Sequence, residues 1–565
     1  MDTLFRSVRR RLAQLRPMRV PDAPSRAFRD LWPGDANRGA RLLRGEFEVA
    51  GTVRRLAPAE DGDTGFAGGG GNGWDARSGP AAWRAAAHGF AWLRDLRAFG
   101  TDPARLRARA LTADWLARGA RESIARAPEV AGARISAWLG HWDFLAATAE
   151  DSFRRQLMLR LAEDARDVVA ALPAEAEHRG ALVALKGALA AAIALEEDAW
   201  LARCLRFLPS ELERQFHPDG GHVERSPGQQ LLALQDLIEI RNLLHGAGVE
   251  APPQLGATLD QAAPALRLFR HGDGGPALFN GTREEAPGLL DVVLNHGQAR
   301  GRAPSALPET GFHRLQAGRT LVIMDCGAPP PERSALGGLA PNGLPRGADR
   351  FSHAGTLSFE MSVGRDRLVV NCGAMPSAEP AWRDALRATA AHSTLVLADT
   401  NSAELREGGL GRRPERVEVE RHEANGAQWL EASHDGWRRP FAAIHRRRLY
   451  LSESGDDLRG EDVVEAADPP AFALRFHLHP AVVASLQQDD SAVLLRLPSG
   501  AGWRLRARGG RVALEESLYL AGEPRRTMQV VVHAEAGVGS VQWAISRVSL
   551  PAPPQPAENQ ARPAR

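Results

Sequence analysis

The length, composition and charge of the chain exclude several classes of protein. Its 565 residues exceed the roughly 250 to 300 residues that a single hydrophobic core supports, so two large domains are expected. An apolar share of 44% and a charged share of 25% are typical of folded globular chains and not of fibrous or wholly disordered ones. A formal charge of +2 provides no global field that would attract nucleic acid, so an anionic ligand must be bound locally.

Residues 1–80 are predicted to form an N-terminal extension with a flexible loop. The first twenty residues contain arginines but lack the apolar run and the small-residue cleavage site of a secretory signal. The run GGGGNG has neither the preceding strand nor the following lysine of a phosphate-binding loop, so its composition indicates flexibility. We therefore expect no export signal, which leaves a cytoplasmic location open.

Residues 81–305 are rich in alanine, leucine and arginine, and their apolar residues recur at the three- and four-residue spacing of helices. Short breaks between the segments predict antiparallel helical hairpins. The spacing is compatible with a bundle, a solenoid or a closed α/α toroid. No stretch approaches the roughly 20 uncharged apolar residues of a membrane-spanning helix. The predicted helices cover residues 80–99, 136–150, 152–172, 180–195, 198–215, 228–245 and 258–271.

Residues 306–550 have a different texture, with short runs of β-branched residues separated by turn residues. Runs such as RTLVIMD, DRLVVNCG and TMQVVVHAE lie 10 to 20 residues apart without intervening helical patterns. This spacing predicts an antiparallel β-sandwich. The chain is thus an α+β protein of two domains, followed at residues 551–565 by a tail whose composition predicts disorder.

The densest polar cluster of the helical half is FHPDGGHVERSP, residues 216–227, between two apolar helices. It contains His222, Glu224 and Arg225 beside two glycines. One interpretation is a plain connector, in which Ser226 caps the next helix ahead of a proline. The other is a functional site, because a plain connector needs neither two histidines nor a Glu-Arg pair.

A second cluster lies at predicted strand ends, where His353, Asn371 and His392 occur. Two histidines and an amide oxygen, completed by water, are a plausible zinc shell. The alternative is that each histidine forms ordinary hydrogen bonds, since the spacing matches no compact zinc motif.

Four stretches resemble, in order and spacing, the motifs of the heparinase II/III family of polysaccharide lyases. They are FHPDGGHVERSP, FSHAGTLSFEMSVGRDRLVVNCG, AHSTLVLADTNSAEL and HRRRLYLSESGDDLRGED. The resemblance implies an α/α toroid joined to an antiparallel β-sandwich, an acidic polysaccharide or oligosaccharide as ligand, and a cell-envelope or periplasmic location. It also implies cleavage of a uronate-containing chain by β-elimination, which needs a neutralised carboxylate, a base and an acid.

The resemblance also assigns positions, and several hold unexpected residues. The place of the family's tyrosine is occupied by Gln229, and that of its proton-transferring histidine by Phe351. The residue that neutralises the uronate corresponds to Arg179 or its neighbour His178. Both tyrosines of the chain lie in the β half, so none is available from the helical half.

The family's structural zinc shell of two histidines and an aspartate corresponds to His353, His392 and Asn371. An asparagine oxygen is a weaker, neutral ligand than a carboxylate. The resemblance therefore implies at most one structural zinc ion and no organic cofactor.

The leading hypothesis is a divergent lyase that uses other groups of the helical half. His222 is the first choice for the base, because imidazole has a suitable pKa, and Glu224 would orient it. Arg225 or Arg179 would hold the uronate carboxylate, and His141 is a further candidate.

Trp138 and Trp142, four residues apart beside His141, would suit a sugar-stacking face, with core packing as the alternative. Gln229 is the remaining candidate for substrate binding. Two other functions stay open. A glycoside hydrolase would pair Glu224 with Asp143 or Asp219. A non-catalytic acidic-polysaccharide-binding protein of the cell envelope would need neither the tyrosine nor the histidine. The sequence does not indicate an oligomeric state.

Overall fold

The structure is a computed structural model that describes residues 19–26, 28–58, 73–75, 77–174, 179–298, 300–331, 347–375, 379–487 and 491–548. The predicted C-terminal tail, the glycine-rich run before residue 73 and His178 lie outside the described residues. Every helix in the described ranges is too short or too polar to span a lipid bilayer.

The N-terminal half is an α/α toroid of antiparallel helical hairpins. Its most buried helix, α8, packs against α5, α7, α9 and α10 and is built largely of alanine and leucine. At the α5–α8 crossing, a Cβ on Gly187 would lie 2.4 Å from the Cα of Gly132, so the close approach of the backbones requires glycine. The helices are α1 (Ala36–Leu43), α2 (Ala81–Gly89), α3 (Leu93–Phe99), α4 (Asp102–Ala117), α5 (Pro128–Gly140), α6 (Trp142–Leu145), α7 (Asp151–Ala171), α8 (Arg179–Ala194), α9 (Asp198–Gln215), α10 (Pro227–Ala247), α11 (Pro253–Leu268) and α12 (Leu289–His296).

The predicted helices are mostly confirmed, with several differences. Residues 80–99 form two helices, α2 and α3, because Phe90 between them adopts a left-handed conformation with a φ of 61°. Residues 136–150 do not form one helix, because α5 begins earlier at Pro128, a residue suited to a first turn, and ends before His141. Helix α4 was not predicted, since its arginines interrupt the apolar spacing. Residues 28–58, predicted to belong to an extension, form α1 and a hairpin of strands β1 (Glu46–Val49) and β2 (Thr52–Arg55). They bury apolar side chains in the core of the toroid.

The C-terminal half is a sandwich of two antiparallel sheets with an apolar core between them. One sheet has the order β11-β12-β13-β14-β21-β18-β17-β16, and the other β19-β20-β15-β7-β6-β5-β4-β3, with β8 also paired to β15. The strands are β3 (Ala306–Leu307), β4 (Phe312–Ala317), β5 (Thr320–Asp325), β6 (Phe359–Val363), β7 (Asp366–Val370), β8 (Leu395–Leu397), β9 (Leu405–Arg406), β10 (Gly409–Leu410), β11 (Val417–Ala424), β12 (Ala427–His434), β13 (Ile444–Leu451), β14 (Asp457–Glu465), β15 (Phe472–Leu478), β16 (Val483–Leu486), β17 (Ala492–Arg496), β18 (Gly502–Arg508), β19 (Arg511–Tyr519), β20 (Arg525–Ala534) and β21 (Ser540–Val548).

The two halves meet at an aromatic contact. Phe312 of β4 lies edge-on to Phe269, which follows α11, at 4.8 Å between ring centroids, and 5.4 Å from Phe279. All three rings are buried. This apolar junction fixes the position of the loop at residues 216–227 against the first strands of the sandwich.

Candidate functional site

The loop at residues 216–227 connects α9 to α10 and touches the sandwich. Ser226 accepts a hydrogen bond from the backbone N–H of Gln229 at 3.5 Å, which confirms the predicted cap of α10. A Cβ on Gly221 would lie 1.8 Å from Thr310 Oγ1, so the loop can pass this close to the sandwich only with glycine. Asp219 accepts hydrogen bonds from the backbone N–H and the hydroxyl of Thr310. The loop is therefore part of the contact between the domains.

His222, the proposed base, is fully buried in this loop. Its Nε2 lies 2.8 Å from Gln215 Oε1, and its Nδ1 lies 3.7 Å from Glu224 Oε2. Burial, together with the charges of Arg179 and Arg350, lowers the pKa of His222 to about 3. The imidazole is thus neutral at physiological pH, but it has no surface at which a polymer could meet it.

Glu224 and Arg225 are also buried, and each has a partner distant in sequence. Glu224 accepts a hydrogen bond from Arg350 Nε at 2.7 Å. Burial raises the pKa of Glu224, and the Arg350 charge only partly offsets this effect. Arg225 donates to Thr310 O at 2.6 Å and forms an ion pair with Asp325 at the end of β5. These pairs fasten the loop to the sandwich.

Arg179, the proposed uronate-binding residue, lines a cavity of about 390 Å³ inside the toroid. Its Nη1 lies 2.6 Å from Asp236 Oδ2, and Lys186 Nζ lies 2.7 Å from the other oxygen of the same carboxylate. Lys186 also pairs with Glu239. Two cations and two carboxylates thus form an internal network, in which Arg179 already neutralises a carboxylate of the chain itself.

His141 contacts the N-terminal segment. Its Nε2 lies 3.0 Å from Asp30 Oδ2, and Arg94 binds the same carboxylate with two nitrogens, at 2.9 and 3.0 Å. Burial raises the pKa of Asp30, but the His141 hydrogen bond and the Arg94 charge outweigh it and hold this pKa below its ordinary value. The backbone N–H of Asp30 donates to Gly140 O at 3.2 Å. His141 is therefore already hydrogen-bonded to a carboxylate of the chain itself, that of Asp30.

The candidate substrate-binding residues are not brought together on one face. Trp138 is fully buried, and its ring centroid lies 5.3 Å from that of Phe90 and 5.5 Å from that of Trp115. It therefore packs in the hydrophobic core, as the alternative interpretation predicted. Trp142 is half-buried against the same core. Gln229 is half-buried in the first turn of α10.

Phe351, at the family's histidine position, is half-buried beneath the guanidinium of Arg350, whose Cζ lies 4.6 Å from the ring centroid. A cation stacked on a hydrocarbon ring stabilises structure but transfers no proton. Neither this ring nor the amide of Gln229, at the two positions that the resemblance assigns to proton transfer, is an ionisable group.

The carboxylates considered for a glycoside hydrolase are likewise bound to other residues of the chain. Asp143 forms a two-pronged ion pair with Arg97, at 2.8 Å for each contact, on the toroid surface. Asp219 is bound to Thr310, and Glu224 to Arg350. Each carboxylate is therefore neutralised or hydrogen-bonded by a neighbour of its own.

Two of the three predicted metal ligands, His353 and His392, are in contact in the sandwich half. His353 Nδ1 lies 3.0 Å from His392 Nε2, and His392 Nδ1 lies 2.8 Å from the carbonyl of Ala388. Asn371 Oδ1 accepts a hydrogen bond from the backbone N–H of Ser393 at 3.0 Å. Among the described residues, no group of three or more His, Cys, Asp or Glu side chains is arranged to hold a metal ion.

These donors do not match a structural zinc site. The two imidazoles lie within hydrogen-bond distance of each other, and burial lowers the pKa of His353 well below its ordinary value. Asn371, at the third position, supplies no negative charge, and its Oδ1 already accepts a hydrogen bond from Ser393. A dication at this buried place would lack an anionic ligand.

Several residues that organise the site were not predicted. Gln230 Nε2 donates to Gly220 O at 2.9 Å and to Ala262 O at 3.0 Å, holding the loop in place. Asp30, Asp325 and Arg350 provide the charged partners of the candidate residues. The partners lie about a hundred residues away in sequence, so no local pattern could have identified them.

Comparisons with known proteins agree with this architecture. The family described as Heparinase II/III-like, C-terminal, matches residues 299–547. FtsZ-localized protein C of Caulobacter vibrioides is 31% identical over 553 residues, covering 93% of this chain and 91% of that protein.

Among solved structures, a heparinase III crystal structure superposes with a TM-score of 0.70 at 14% identity, covering 96% of this chain and 89% of that one. The heparan sulfate lyase HepC of Pedobacter heparinus superposes with a TM-score of 0.55, also at 14% identity, with coverages of 96% and 87%. At these identities the likeness shows the fold alone. On the sequence and structural matches together, the chain belongs to the heparinase II/III family and has the scaffold of its polysaccharide lyases.

Proposed function

We propose that this chain is a non-catalytic member of its family, which binds an acidic polysaccharide or oligosaccharide without cleaving it. The observation that carries the proposal is that Gln229 and Phe351, which the resemblance places at the family's two proton-transfer positions, have no ionisable group. The sequence alone favoured β-elimination by substitute residues. The geometry of those substitutes favours the binding alternative.

β-Elimination needs a base that reaches the C5 proton and an acid that reaches the leaving oxygen. His222 is enclosed by Gln215 and Glu224, and Glu224 is paired with Arg350. Freeing either group would expose an uncompensated buried charge or polar atom, which costs about 3–5 kcal/mol for a buried ion pair. These residues are therefore better suited to holding the two domains together than to catalysis.

FtsZ-localized protein C, the relative that matches most of this chain, is named for its localisation with FtsZ. This name suggests where the present chain acts. We extend this property to the present chain, because the two proteins match over nearly their whole lengths. A fluorescent fusion of this chain, imaged together with labelled FtsZ, should overlap with it. The cell-envelope or periplasmic location implied by the family stays a separate prediction.

The test of the proposed function combines a turnover assay and a binding assay on the same protein. Purified full-length chain is mixed with a panel of acidic polysaccharides, and absorbance is followed in the ultraviolet band of 4,5-unsaturated uronates, with an active heparinase III as positive control. Binding to the same panel is measured by calorimetry. We expect a flat absorbance trace together with saturable binding to at least one polymer. A rise in absorbance that scales with protein concentration would contradict the proposal, and so would a panel that shows no binding.

A further inference from the structure

A second cavity, of about 730 Å³, lies where the end of α11 meets the sandwich, on strands β4, β11 and β12. We call it the arginine pocket, because five arginines from separate parts of the chain line it. It shares no lining residue with the cavity inside the toroid. These arginines are Arg267, Arg270, Arg302, Arg314 and Arg421.

The innermost arginine, Arg314, is held by neutral groups. Its Nη1 donates to Leu268 O and to Arg270 O, each at 2.9 Å, and its Nη2 donates to Gln316 Oε1 at 3.1 Å. Burial, with a contribution from the charge of Arg270, lowers the pKa of Arg314 to about 10. The guanidinium is thus fixed in orientation, while its charge is only weakly compensated by its surroundings.

The other arginines add more positive charge than the nearby acids cancel. Arg270 Nη2 lies 2.9 Å from Asp291 Oδ2, while its buried Nε has no hydrogen-bond partner within the described part of the chain. Arg421 pairs with Glu423, the single acid among the described residues that line the pocket. Arg302 is exposed at the rim. Among the described residues, five guanidiniums therefore line the cavity, with Glu423 in its wall and Asp291 beside it.

The pocket is preorganised as well as positively charged. Arg421 Nη1 donates to Ser305 O and to Arg314 O, each at 2.8 Å, and its Nη2 donates to Gln428 Oε1 at 3.2 Å. Backbone carbonyls and amide side chains thus hold the cations in place before any ligand arrives. Preorganised donors bind an anion with little further ordering cost.

The lining also limits the kind of anion. No aromatic ring lines the pocket over the residues that the structure describes, so it offers no stacking face for a sugar or a base. Its volume of about 730 Å³ lies in the range of small-molecule sites. Guanidinium groups bind phosphate oxygens in pairs, and each phosphate brings about one to two charges into a small volume.

We propose that the arginine pocket binds a compact oligophosphate. The same chemistry is offered by a free phosphate chain and by the phosphorylated end of a larger molecule. This site is separate from the acidic-polysaccharide binding proposed above and does not depend on it.

The test is calorimetric titration of the full-length chain with inorganic tripolyphosphate at constant ionic strength, beside the variants Arg302→Gln and Arg270→Gln/Arg302→Gln. Arg302 is exposed, so its replacement leaves the fold intact. We expect saturable binding that weakens by about 10-fold or more in the double variant, because the two substitutions remove charge-assisted hydrogen bonds to the anion. The matched control, Arg506→Gln/Arg508→Gln, removes two exposed arginines from β18 and should stay within about twofold of the unmodified chain.

Two further ligands identify the source and the class of the anion. Adenosine triphosphate binding more tightly than tripolyphosphate would indicate the phosphorylated end of a larger molecule, whereas equal or weaker binding would indicate a free phosphate chain. A sulfated disaccharide that binds more tightly than tripolyphosphate would overturn the proposal. Equal tripolyphosphate binding by the unmodified chain and the pocket double variant, or the absence of binding, would overturn it as well.

Discussion

The loop at residues 216–227 and the arginine pocket are both rich in charged residues, but only the charges of the loop are matched by close partners of opposite sign. In the loop, Glu224 and Arg225 are buried, and each is paired with a partner from the sandwich half. In the pocket, the described lining has five arginines and one carboxylate, Glu423, and Arg302 is exposed. The densest run of polar residues in the helical half therefore forms part of the contact between the two domains. The better candidate for anion binding is built from residues spread over more than a hundred positions of the sequence.

The physical reason is the cost of burying charge. A buried ion is tolerated only with a close counter-ion or several hydrogen bonds, so a fully buried polar loop must be internally satisfied. A cavity open to solvent can keep an excess of one sign, because water and salt compensate it until a ligand arrives. Removing charges from the two regions should therefore have different consequences.

The largest effect is expected for Arg225→Met in the loop. The change leaves Asp325 buried without its cation, and losing one partner of a buried pair typically costs about 3–5 kcal/mol of the free energy of unfolding. Denaturant unfolding measures this change. The control Arg439→Met removes an exposed ion pair with Glu415 and should cost about 1 kcal/mol or less. Equal losses in the two variants would remove the distinction between the regions.

The next effect is a dependence of stability on pH that arises from His222. Its folded pKa of about 3 lies below the unfolded value of about 6.5, so the unfolded chain binds the proton first. This contribution to stability is complete above pH 6.5 and is lost as the pH falls from there toward 3.

In His222→Gln, the free energy of unfolding should accordingly vary less with pH, by about 1.4 kcal/mol per pH unit between roughly pH 6 and 4. Urea unfolding at a series of pH values measures the slope. His422→Gln, at an exposed position of β11, serves as the control and should leave the slope unchanged. An unaltered slope in His222→Gln would mean that this histidine is accessible to protons in the folded chain.

A smaller effect is expected for Arg302→Gln in the pocket. Arg302 is exposed beside other cations, so its removal should change the free energy of unfolding by about 0.5 kcal/mol or less. Thermal and denaturant unfolding in phosphate-free buffer provide the measurement. A loss above about 1 kcal/mol would show that the rim arginine has a structural role like that of Arg225.

The smallest effect is expected from metal removal, which extends the comparison to a third cluster. His353 and His392 satisfy one another, and Asn371 is bonded to the backbone of Ser393, as in the internally paired loop. Dialysis against a chelator should therefore leave the melting temperature unchanged, and elemental analysis should find less than one zinc ion per chain. A stoichiometric zinc ion whose removal lowers the melting temperature would contradict this assignment.

Much of the fold could be predicted from the sequence. Helical spacing and β-branched runs identified the two halves, and the Ser226 cap was read from a serine ahead of a proline. The sequence left the polar loop as either a connector between helices or a functional site, and its contact with the sandwich was not predicted. The arginine pocket was not predicted, because its members occur singly in different elements and carry no local signature.

The sequence by itself determined the periodicities, the caps and the residue types at the family's catalytic positions, because these depend on neighbouring residues. Periodicity thus separated a helical half from a β half, whereas the toroid and the replaced proton-transfer positions followed only from the resemblance to the family. The tertiary structure decided which charges are neutralised. Asp30 meets His141, Asp325 meets Arg225, and separate arginines converge beside α11 only after the halves have packed. Burial and distance fix the energy of a charge, and both are set by contacts between residues far apart in the chain.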